Sequence, residues 1–236
     1  MELFKNFWQR LLDVVEFVVA SYKAGRGDPN AWESTIKKFE TQDRLQPPAK
    51  NSIVFVGSSS FTFWSTLEQD MAPFPVINRG FGGSRMQDVM KYVTRIVLPY
   101  HPRTVILFAG TNDIGDDKPD PARQIFDGYL DFVKQIQAAL PEAIVYYVAI
   151  TPTPARWKFW PIAAEVNRLI QEHTQNDPNL RFIDFTEKLL GVDGKPDRSL
   201  YKFDRIHPNR KCYAIWTAAI KSRLEADMSA IPYSSD

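Results

Sequence analysis

Three consecutive serines follow a glycine at the end of an apolar run, and any one of them could act as a nucleophile. The run at 52–56 is rich in β-branched residues, which predicts a buried strand that ends in a tight turn at Ser58, Ser59 and Ser60. In open α/β sheets, ligands bind at the carboxyl ends of the strands. A serine hydroxyl there becomes nucleophilic when a neighbouring histidine takes its proton. The chemistry therefore depends on which histidine reaches the same edge.

One of the three histidines is placed to act as that base. His101 precedes the predicted third strand and His173 precedes the fifth, so both belong at the opposite edge of the sheet. His207 lies in the long connection after the fifth strand, which must cross the carboxyl edge before its helix descends. Asp204 stands three residues earlier, close enough along a turn to hold the imidazole in one tautomer. The alternative for Asp204 is a turn residue that bonds its own backbone.

Attack by a serine on a carbonyl group creates an oxyanion, which needs hydrogen-bond donors fixed in place. The segments after the second and third strands offer two candidates, the backbone N–H of Gly83 and the side-chain amide of Asn112. The backbone N–H of Ser59 would be a third. Each has a structural alternative, because glycines serve tight turns and asparagines cap helices. Their convergence on one edge favours the catalytic interpretation.

The elements that must position these residues alternate from residue 52 onward as short apolar runs and helical stretches. This pattern is typical of βα units around a parallel sheet. We predict strands at 52–56, 75–78, 104–109, 144–150 and 181–184. We predict helices at 85–96, 121–140, 155–175 and 209–226.

Residues 1–50 precede this pattern and are predicted to form a helical extension. Apolar residues at helical spacing over 3–22 indicate an amphipathic helix, and 32–45 is expected to form another. Packing of the first helix on the domain, or on a second copy in a homo-oligomer, is favoured over a position on a membrane surface. Asp13 and Glu16 interrupt it too early for a signal peptide, and no apolar run could span a bilayer. A cytoplasmic location is the default expectation.

Length favours a single main domain, which we place at 51–228, followed by a tail at 229–236. The 29 basic residues nearly balance 28 acidic ones among 236, so no nucleic-acid partner is expected. The chain has one cysteine, Cys212, which rules out an intrachain disulfide and a cysteine-based zinc cluster. Its apolar neighbours predict a place in a helix core rather than a reactive thiol.

Four blocks of sequence, taken in order, resemble the SGNH hydrolases, also called GDSL lipases or esterases. They are Gly57-Ser58-Ser59, Asn78 to Gly83, Gly110 to Asp113, and Asp204 to Pro208. The resemblance covers residues 50–226 and implies a flavodoxin-like three-layer α/β/α sandwich with a five-stranded parallel sheet. It also implies no metal or organic cofactor.

Position by position, the resemblance implies roles for these residues. Ser59 corresponds to the nucleophile, with Asp204 and His207 as the rest of a catalytic triad. The oxyanion donors would be Gly83, Asn112 and the Ser59 amide. The resemblance thus selects Ser59 over its two serine neighbours.

One position departs from the family pattern. The aspartate usual before the nucleophile is Ser58 here. Because that aspartate is not a triad member, we expect altered support of the turn rather than lost activity. Phe61 stands where the nucleophile elbow of α/β-hydrolases has its second glycine, which excludes that elbow.

The resulting expectation is a serine esterase that hydrolyses carboxylic esters of short acyl or acetyl groups through an acyl-enzyme, with a small-molecule ester as its partner. A carbohydrate O-acetylesterase or an acyltransferase would use the same residues. A non-catalytic ligand-binding module is the alternative of a different class. Arg156, Trp157 and Trp160, after the fourth strand, are candidates for the substrate pocket, although helix packing accounts for them equally well.

Overall fold

A five-stranded parallel sheet forms the centre of the molecule. The computed structural model describes residues 15, 18–24, 26–115 and 119–230. The strands are β1 (Ile53–Gly57), β2 (Val76–Gly80), β3 (Thr104–Phe108), β4 (Ile144–Val148) and β5 (Leu180–Ile183). Their order across the sheet is β2-β1-β3-β4-β5, and every neighbouring pair is parallel.

Helices cover both faces of this sheet, which gives the predicted α/β/α sandwich. They are α1 (Glu33–Leu45), α2 (Ser59–Thr62), α3 (Leu67–Met71), α4 (Met86–Ile96), α5 (Pro121–Ala139), α6 (Trp160–Thr174) and α7 (Arg210–Ala230). Residues 18–24 are also helical. Short 3-10 helices occur at Leu98–Tyr100, Pro154–Phe159, Thr186–Leu189 and Arg198–Leu200. No helix within the described ranges is long and apolar enough to cross a bilayer.

The sheet separates two hydrophobic cores because alternate side chains of each strand point to opposite faces. In β1, Val54 and Val56 join the core that α1, α4, α5 and α6 cover. Ile53 and Phe55 join the core under α2, α3 and α7. Cys212 is buried in the second core, where burial raises the pKa of its thiol to about 12. The prediction of a helix-core cysteine is confirmed.

Most predicted boundaries differ from the structure by one or two residues, and the last helix ends at Ala230 rather than at residue 226. Two of the differences have a local cause. The fourth strand ends at Val148 rather than at residue 150, because the Asn167 side chain bonds both the N–H and the carbonyl of Ile150 at 2.8 and 2.9 Å. The helix predicted from residue 155 begins at Trp160, with a 3-10 helix before it. Pro161 lacks an N–H, so an α-helix accepts it in the first turn and not in its interior.

The chain before β1 packs on the side of the sheet that carries β2. The guanidinium of Arg79, which is 6% exposed, forms an ion pair with Asp43 of α1 and donates to the Tyr100 hydroxyl. Ala20 and Trp32 are buried in the first core. Among the described residues before β1, the large apolar side chains that are exposed are Val15, Val18, Val19, Tyr22 and Leu45. Most of the amphipathic helix predicted over 3–22, and residues 231–236 of the predicted tail, lie outside the described residues.

A single glycine at the end of β1 is expected to be indispensable for this fold. Gly57 has φ +152°, and a Cβ placed there would overlap the Phe108 carbonyl group of the neighbouring strand. We expect Gly57→Ala to lower the free energy of unfolding by more than about 2 kcal/mol, measured by urea denaturation.

The control is Gly194→Ala, where φ is +71° and the space around the new Cβ is open. That change should cost about 1 kcal/mol from backbone conformation alone. Equal losses for the two variants would contradict the steric argument.

Candidate active site

Ser59 lies at the carboxyl end of β1, where the strand turns directly into the one-turn helix α2. Ser58 is extended, with φ −94° and ψ −163°, and Ser59 is the first helical residue. The Ser58 carbonyl accepts hydrogen bonds from the N–H groups of Phe61 and Thr62 at 3.0 and 3.2 Å. These bonds close the helical turn, so the Ser59 side chain is held at the edge of the sheet. Ser59 itself is 6% exposed.

The structure brings Ser59, His207 and Asp204 into one hydrogen-bonded line. The distance from Ser59 Oγ to His207 Nε2 is 2.8 Å, and the distance from His207 Nδ1 to Asp204 Oδ2 is 2.7 Å. An ionised carboxylate can only accept, so the proton belongs on Nδ1 and the lone pair of Nε2 faces the serine. This is the arrangement that a histidine needs in order to take the proton of a serine hydroxyl.

A tight turn holds Asp204 against His207. The other carboxylate oxygen, Oδ1, accepts from the backbone N–H groups of Ile206 and His207, both at 2.9 Å. Arg205, between Asp204 and Ile206, has φ +60°, and Lys202 N donates to the His207 carbonyl at 2.8 Å. Burial raises the pKa of Asp204, but the hydrogen bonds from His207 and Ile206 outweigh it and keep that pKa below its usual value. The carboxylate is therefore ionised at neutral pH.

The surroundings of His207 favour its neutral form. Burial is the largest cause that lowers its pKa, and the positive charges of Lys202 and Arg156 lower it further. Asp204 opposes them through its hydrogen bond and its charge, and the net shift is downward from the ordinary value. The ring of Phe63 packs edge-to-face on the imidazole with centroids 4.8 Å apart. The Nζ atom of Lys202 lies 4.9 Å from the centre of the same phenylalanine ring.

Two of the three predicted oxyanion donors, Gly83 and Asn112, lie in neighbouring loops that meet at Ser84. Gly83 has φ +74°, and a Cβ there would lie 2.7 Å from Ser21 Oγ and 3.2 Å from the Trp32 ring. The Asn112 amide nitrogen donates to the Ser84 carbonyl at 2.9 Å. Ser84 Oγ in turn donates to the Gly57 carbonyl at 3.2 Å, directly before the serine turn. The loops after β1, β2 and β3 are thus joined.

The three residues predicted as candidates for the substrate pocket make different contacts. Arg156 donates to the Thr111 carbonyl and, at 3.0 Å, to Asn112 Oδ1. Trp157 and Trp160 stack on each other with ring centroids 5.8 Å apart and planes 16° apart. Arg156 therefore contacts the candidate oxyanion loop, and the two tryptophans contact each other.

Ser58, the departure from the family pattern, is completely buried. Its hydroxyl has no hydrogen-bond partner among the described residues. The carbonyl of the other neighbour, Ser60, accepts from the Tyr213 hydroxyl at 2.8 Å, which anchors α2 on α7. The three serines therefore have distinct environments, and the 2.8 Å contact with His207 Nε2 belongs to Ser59.

Sequence reasoning missed the residues that support this line of side chains. These residues are Phe63, which packs on His207, Lys202, which lies on Phe63, and Ser84, which bonds the Gly57 carbonyl. Nothing in the sequence pattern around them distinguished them. The short helix α2, which places Phe63 four residues after Ser59, was also not predicted. Across the described ranges, no three His, Cys, Asp or Glu side chains are grouped closely enough to hold a metal ion.

Comparisons with known structures show where this architecture occurs. The chain superposes on a candidate platelet activating factor protein from Streptococcus pneumoniae with a TM-score of 0.71 and 18% identity, covering 81% of this chain and 92% of that one. It matches a candidate acylhydrolase from Bacteroides fragilis with a TM-score of 0.70 and 19% identity, covering 81% and 96%. It matches a GDSL-like lipase from Bacteroides thetaiotaomicron with a TM-score of 0.68 and 19% identity, covering 81% of this chain and 98% of that one. At these identities the likeness establishes the fold.

Sequence comparison identifies the family. No curated protein matches the sequence. The profile of the GDSL-like lipase/acylhydrolase family matches residues 41–215, which span the sheet and every loop of the candidate site. Since that match covers most of the chain, the protein belongs to the GDSL-like lipase/acylhydrolase family.

Proposed function

We propose that the protein is a carboxylic ester hydrolase in which Ser59 is the nucleophile, His207 the general base and Asp204 the group that orients His207. The observation that carries the proposal is the pair of short contacts on the two imidazole nitrogens, 2.8 Å to Ser59 Oγ and 2.7 Å to Asp204 Oδ2. Family membership supports a hydrolase. The contacts add the residues that would perform the reaction.

The reaction proceeds in two acyl-transfer steps. Ser59 Oγ attacks the ester carbonyl carbon while its proton moves to His207 Nε2. The tetrahedral intermediate collapses, the bond to the alcohol oxygen breaks, and His207 gives its proton to that alcohol. Water then attacks the acyl-enzyme, with His207 again taking a proton, and the carboxylic acid leaves as Ser59 recovers its hydrogen.

Three donors would stabilise the oxyanion of each intermediate, namely the N–H groups of Ser59 and Gly83 and the side-chain amide of Asn112. One amide hydrogen of Asn112 is directed at the Ser84 carbonyl. The second is the one available to a substrate oxygen. Such preorganised donors typically contribute about 10²- to 10³-fold each to kcat.

We propose esters of short acyl or acetyl groups as substrates. Ser59 is 6% exposed and the His207 side chain is 12% exposed, and this limited access to the hydroxyl favours a small acyl group. O-acetylated carbohydrates and acyl transfer to an alcohol acceptor would use the same three residues. A substrate panel separates these cases.

The direct test is hydrolysis of aryl esters of increasing acyl length, together with acetylated sugars and added alcohol acceptors. We expect activity that is highest with short acyl groups and that Ser59→Ala lowers by at least about 10³-fold. Ser58→Ala and Ser60→Ala are matched controls and should retain activity. Hydrolysis that persists in Ser59→Ala would overturn the choice of nucleophile.

The pH dependence of kcat/KM should reflect the lowered pKa of His207. His207 must be neutral to take the serine proton, so kcat/KM falls as the pH drops through the pKa of His207 in the free enzyme. We expect the midpoint of this acid limb below about 6.5, the ordinary value for histidine. Lys202→Gln should move the midpoint upward, because it removes a positive charge that disfavours the imidazolium. A midpoint above 6.5 in the unmodified protein would contradict this account.

Ser58 should be dispensable for both folding and catalysis. Its buried hydroxyl lacks a partner, and burying an unsatisfied polar group is costly. We expect Ser58→Ala to leave the free energy of unfolding unchanged or raise it by about 1 kcal/mol, with esterase activity retained.

Ser84→Ala is the matched control for this stability measurement. Ser84 is equally buried, but its hydroxyl donates to the Gly57 carbonyl, so its loss should cost about 1 kcal/mol or more. The interpretation of Ser58 would be wrong if urea denaturation gave the larger loss for Ser58→Ala.

A further inference from the structure

The guanidinium of Arg156 lies between the loop after β3 and the loop after β4. Its Nη1 donates to the Thr111 carbonyl and lies 3.3 Å from Thr111 Oγ1. Its Nη2 donates to Asn112 Oδ1 at 3.0 Å. Arg156 thus holds two successive residues of the segment that carries the proposed oxyanion donor.

This contact determines which end of the Asn112 amide faces the site. A guanidinium has donors and no acceptor, so the atom of Asn112 that meets it must be the carbonyl oxygen. The amide nitrogen is then forced to the other side, where it donates to the Ser84 carbonyl at 2.9 Å. If the amide were reversed, two N–H groups would face each other at Arg156 and two oxygens at Ser84. Arg156 and Ser84 together allow a single orientation.

Within the described ranges, no carboxylate bonds directly to the Arg156 guanidinium and cancels its charge. Across the residues that the structure describes, its hydrogen bonds go to neutral oxygens of Thr111 and Asn112. Burial lowers the pKa of this guanidinium and the charge of Asp113 opposes that shift. A cation bonded to an amide oxygen draws electron density toward that end, and chains of hydrogen bonds polarise one another in this way. The Asn112 N–H groups become stronger donors as a result.

We propose that Arg156 is a positioning residue of the ester hydrolase: it fixes and polarises the Asn112 side-chain amide so that Nδ2 donates to the oxyanion. This inference rests on the proposed function of Ser59, His207 and Asn112. It assigns Arg156 to the chemical step rather than to the wall of a substrate pocket. Its effect should therefore lie in kcat and depend on Asn112.

A purely structural role for Arg156 predicts a different outcome. If Arg156 only joined two loops, its loss would destabilise the protein and disturb substrate binding regardless of Asn112. If it acts through the Asn112 amide, then once that amide is removed, removing Arg156 as well should cost little more. Residues that act as one unit show this non-additivity in double-mutant cycles.

The first experiment is a kinetic cycle of Arg156→Met, Asn112→Ala and the double variant on a short-chain aryl ester. We expect Arg156→Met to lower kcat on the order of 10- to 100-fold with KM within about threefold, below the loss for Asn112→Ala. The double variant should lie within about threefold of Asn112→Ala. Multiplicative losses, or an unchanged kcat for Arg156→Met, would overturn the proposal.

Two further variants keep the test decisive if Arg156→Met folds poorly. Arg156→Lys keeps the charge but loses the planar fork, so it should recover part of the lost kcat. Lys158→Met is the matched control, because it removes a positive charge from the same 3-10 helix while its side chain lies on Phe159. That control should stay within about twofold of the unmodified protein. A Lys158→Met loss equal to that of Arg156→Met would overturn the proposal.

The pH profile gives a readout that loop packing would not change. The charged groups that act on His207 are Asp204 and Lys202 from its own loop and Arg156 from the 3-10 helix, while α2 contributes the uncharged Phe63. Removing the Arg156 charge should move the acid limb of kcat/KM upward, and Asn112→Ala should not move it. No upward movement in Arg156→Met would contradict the placement of this charge beside the site.

Labelling of Ser59 by a fluorophosphonate probe separates this inference from the proposed function. If the protein hydrolyses esters and the kinetic cycle is additive, only the role of Arg156 is overturned. If Ser59 is labelled while no ester of the panel is hydrolysed, the substrate proposal fails and the cycle is measured on labelling rates. If Ser59 is neither labelled nor active toward esters, both proposals are overturned.

Discussion

The close approach of two backbones at Gly57 is the constraint on which the candidate site depends. A side chain at this position would overlap the Phe108 carbonyl group, so the end of β1 can lie against β3 only as glycine. That approach allows Ser58 N to donate to the Phe108 carbonyl at 3.0 Å. It also leaves the Gly57 carbonyl free to accept from Phe81 N at 2.9 Å and from Ser84 Oγ at 3.2 Å. One residue therefore ties the ends of β1, β2 and β3 together immediately before Ser59.

From this point, hydrogen bonds connect the loops around the site into a closed circuit. The Ser84 carbonyl accepts from Asn112, whose oxygen accepts from Arg156. The next residue back, Ala155, donates its N–H to the carbonyl of Arg205 at 3.1 Å, between Asp204 and His207. The contact of His207 Nε2 with Ser59 Oγ closes the circuit at the serine turn. Because each loop is held by its neighbours, the proposed oxyanion donors and the proposed base are fixed before substrate arrives, which is what electrostatic preorganisation requires.

The strand order that the sequence predicts was enough to place much of this site. The directions of the individual side chains could not be predicted from the sequence. The order of strands was enough to send His207 and Ser59 to one edge, because all carboxyl ends of a parallel sheet lie together. The direction of Arg156 depends on a 3-10 helix whose extent is set by Pro161, six residues into the segment that was predicted as continuous helix. The contacts of Asn112 depend on two loops far away in sequence. Such long-range contacts leave no periodic signal.

The placement of charge around His207 matches the charge separation of the proposed reaction. As Ser59 attacks, the imidazole becomes positive and the substrate oxygen becomes negative. Asp204 lies on the imidazole, at 2.7 Å from Nδ1, while the cation Arg156 is bonded to the amide that would face the oxyanion. If the Asp204 carboxylate lay beside the oxyanion, or the Arg156 guanidinium beside Nδ1 of the imidazole, its charge would destabilise the transition state. Arg156 and Lys202 lower the pKa of His207 and thus weaken it as a base. The same Arg156 charge favours the oxyanion that forms in the same step, so the net benefit depends on its lying nearer Asn112 than the imidazole.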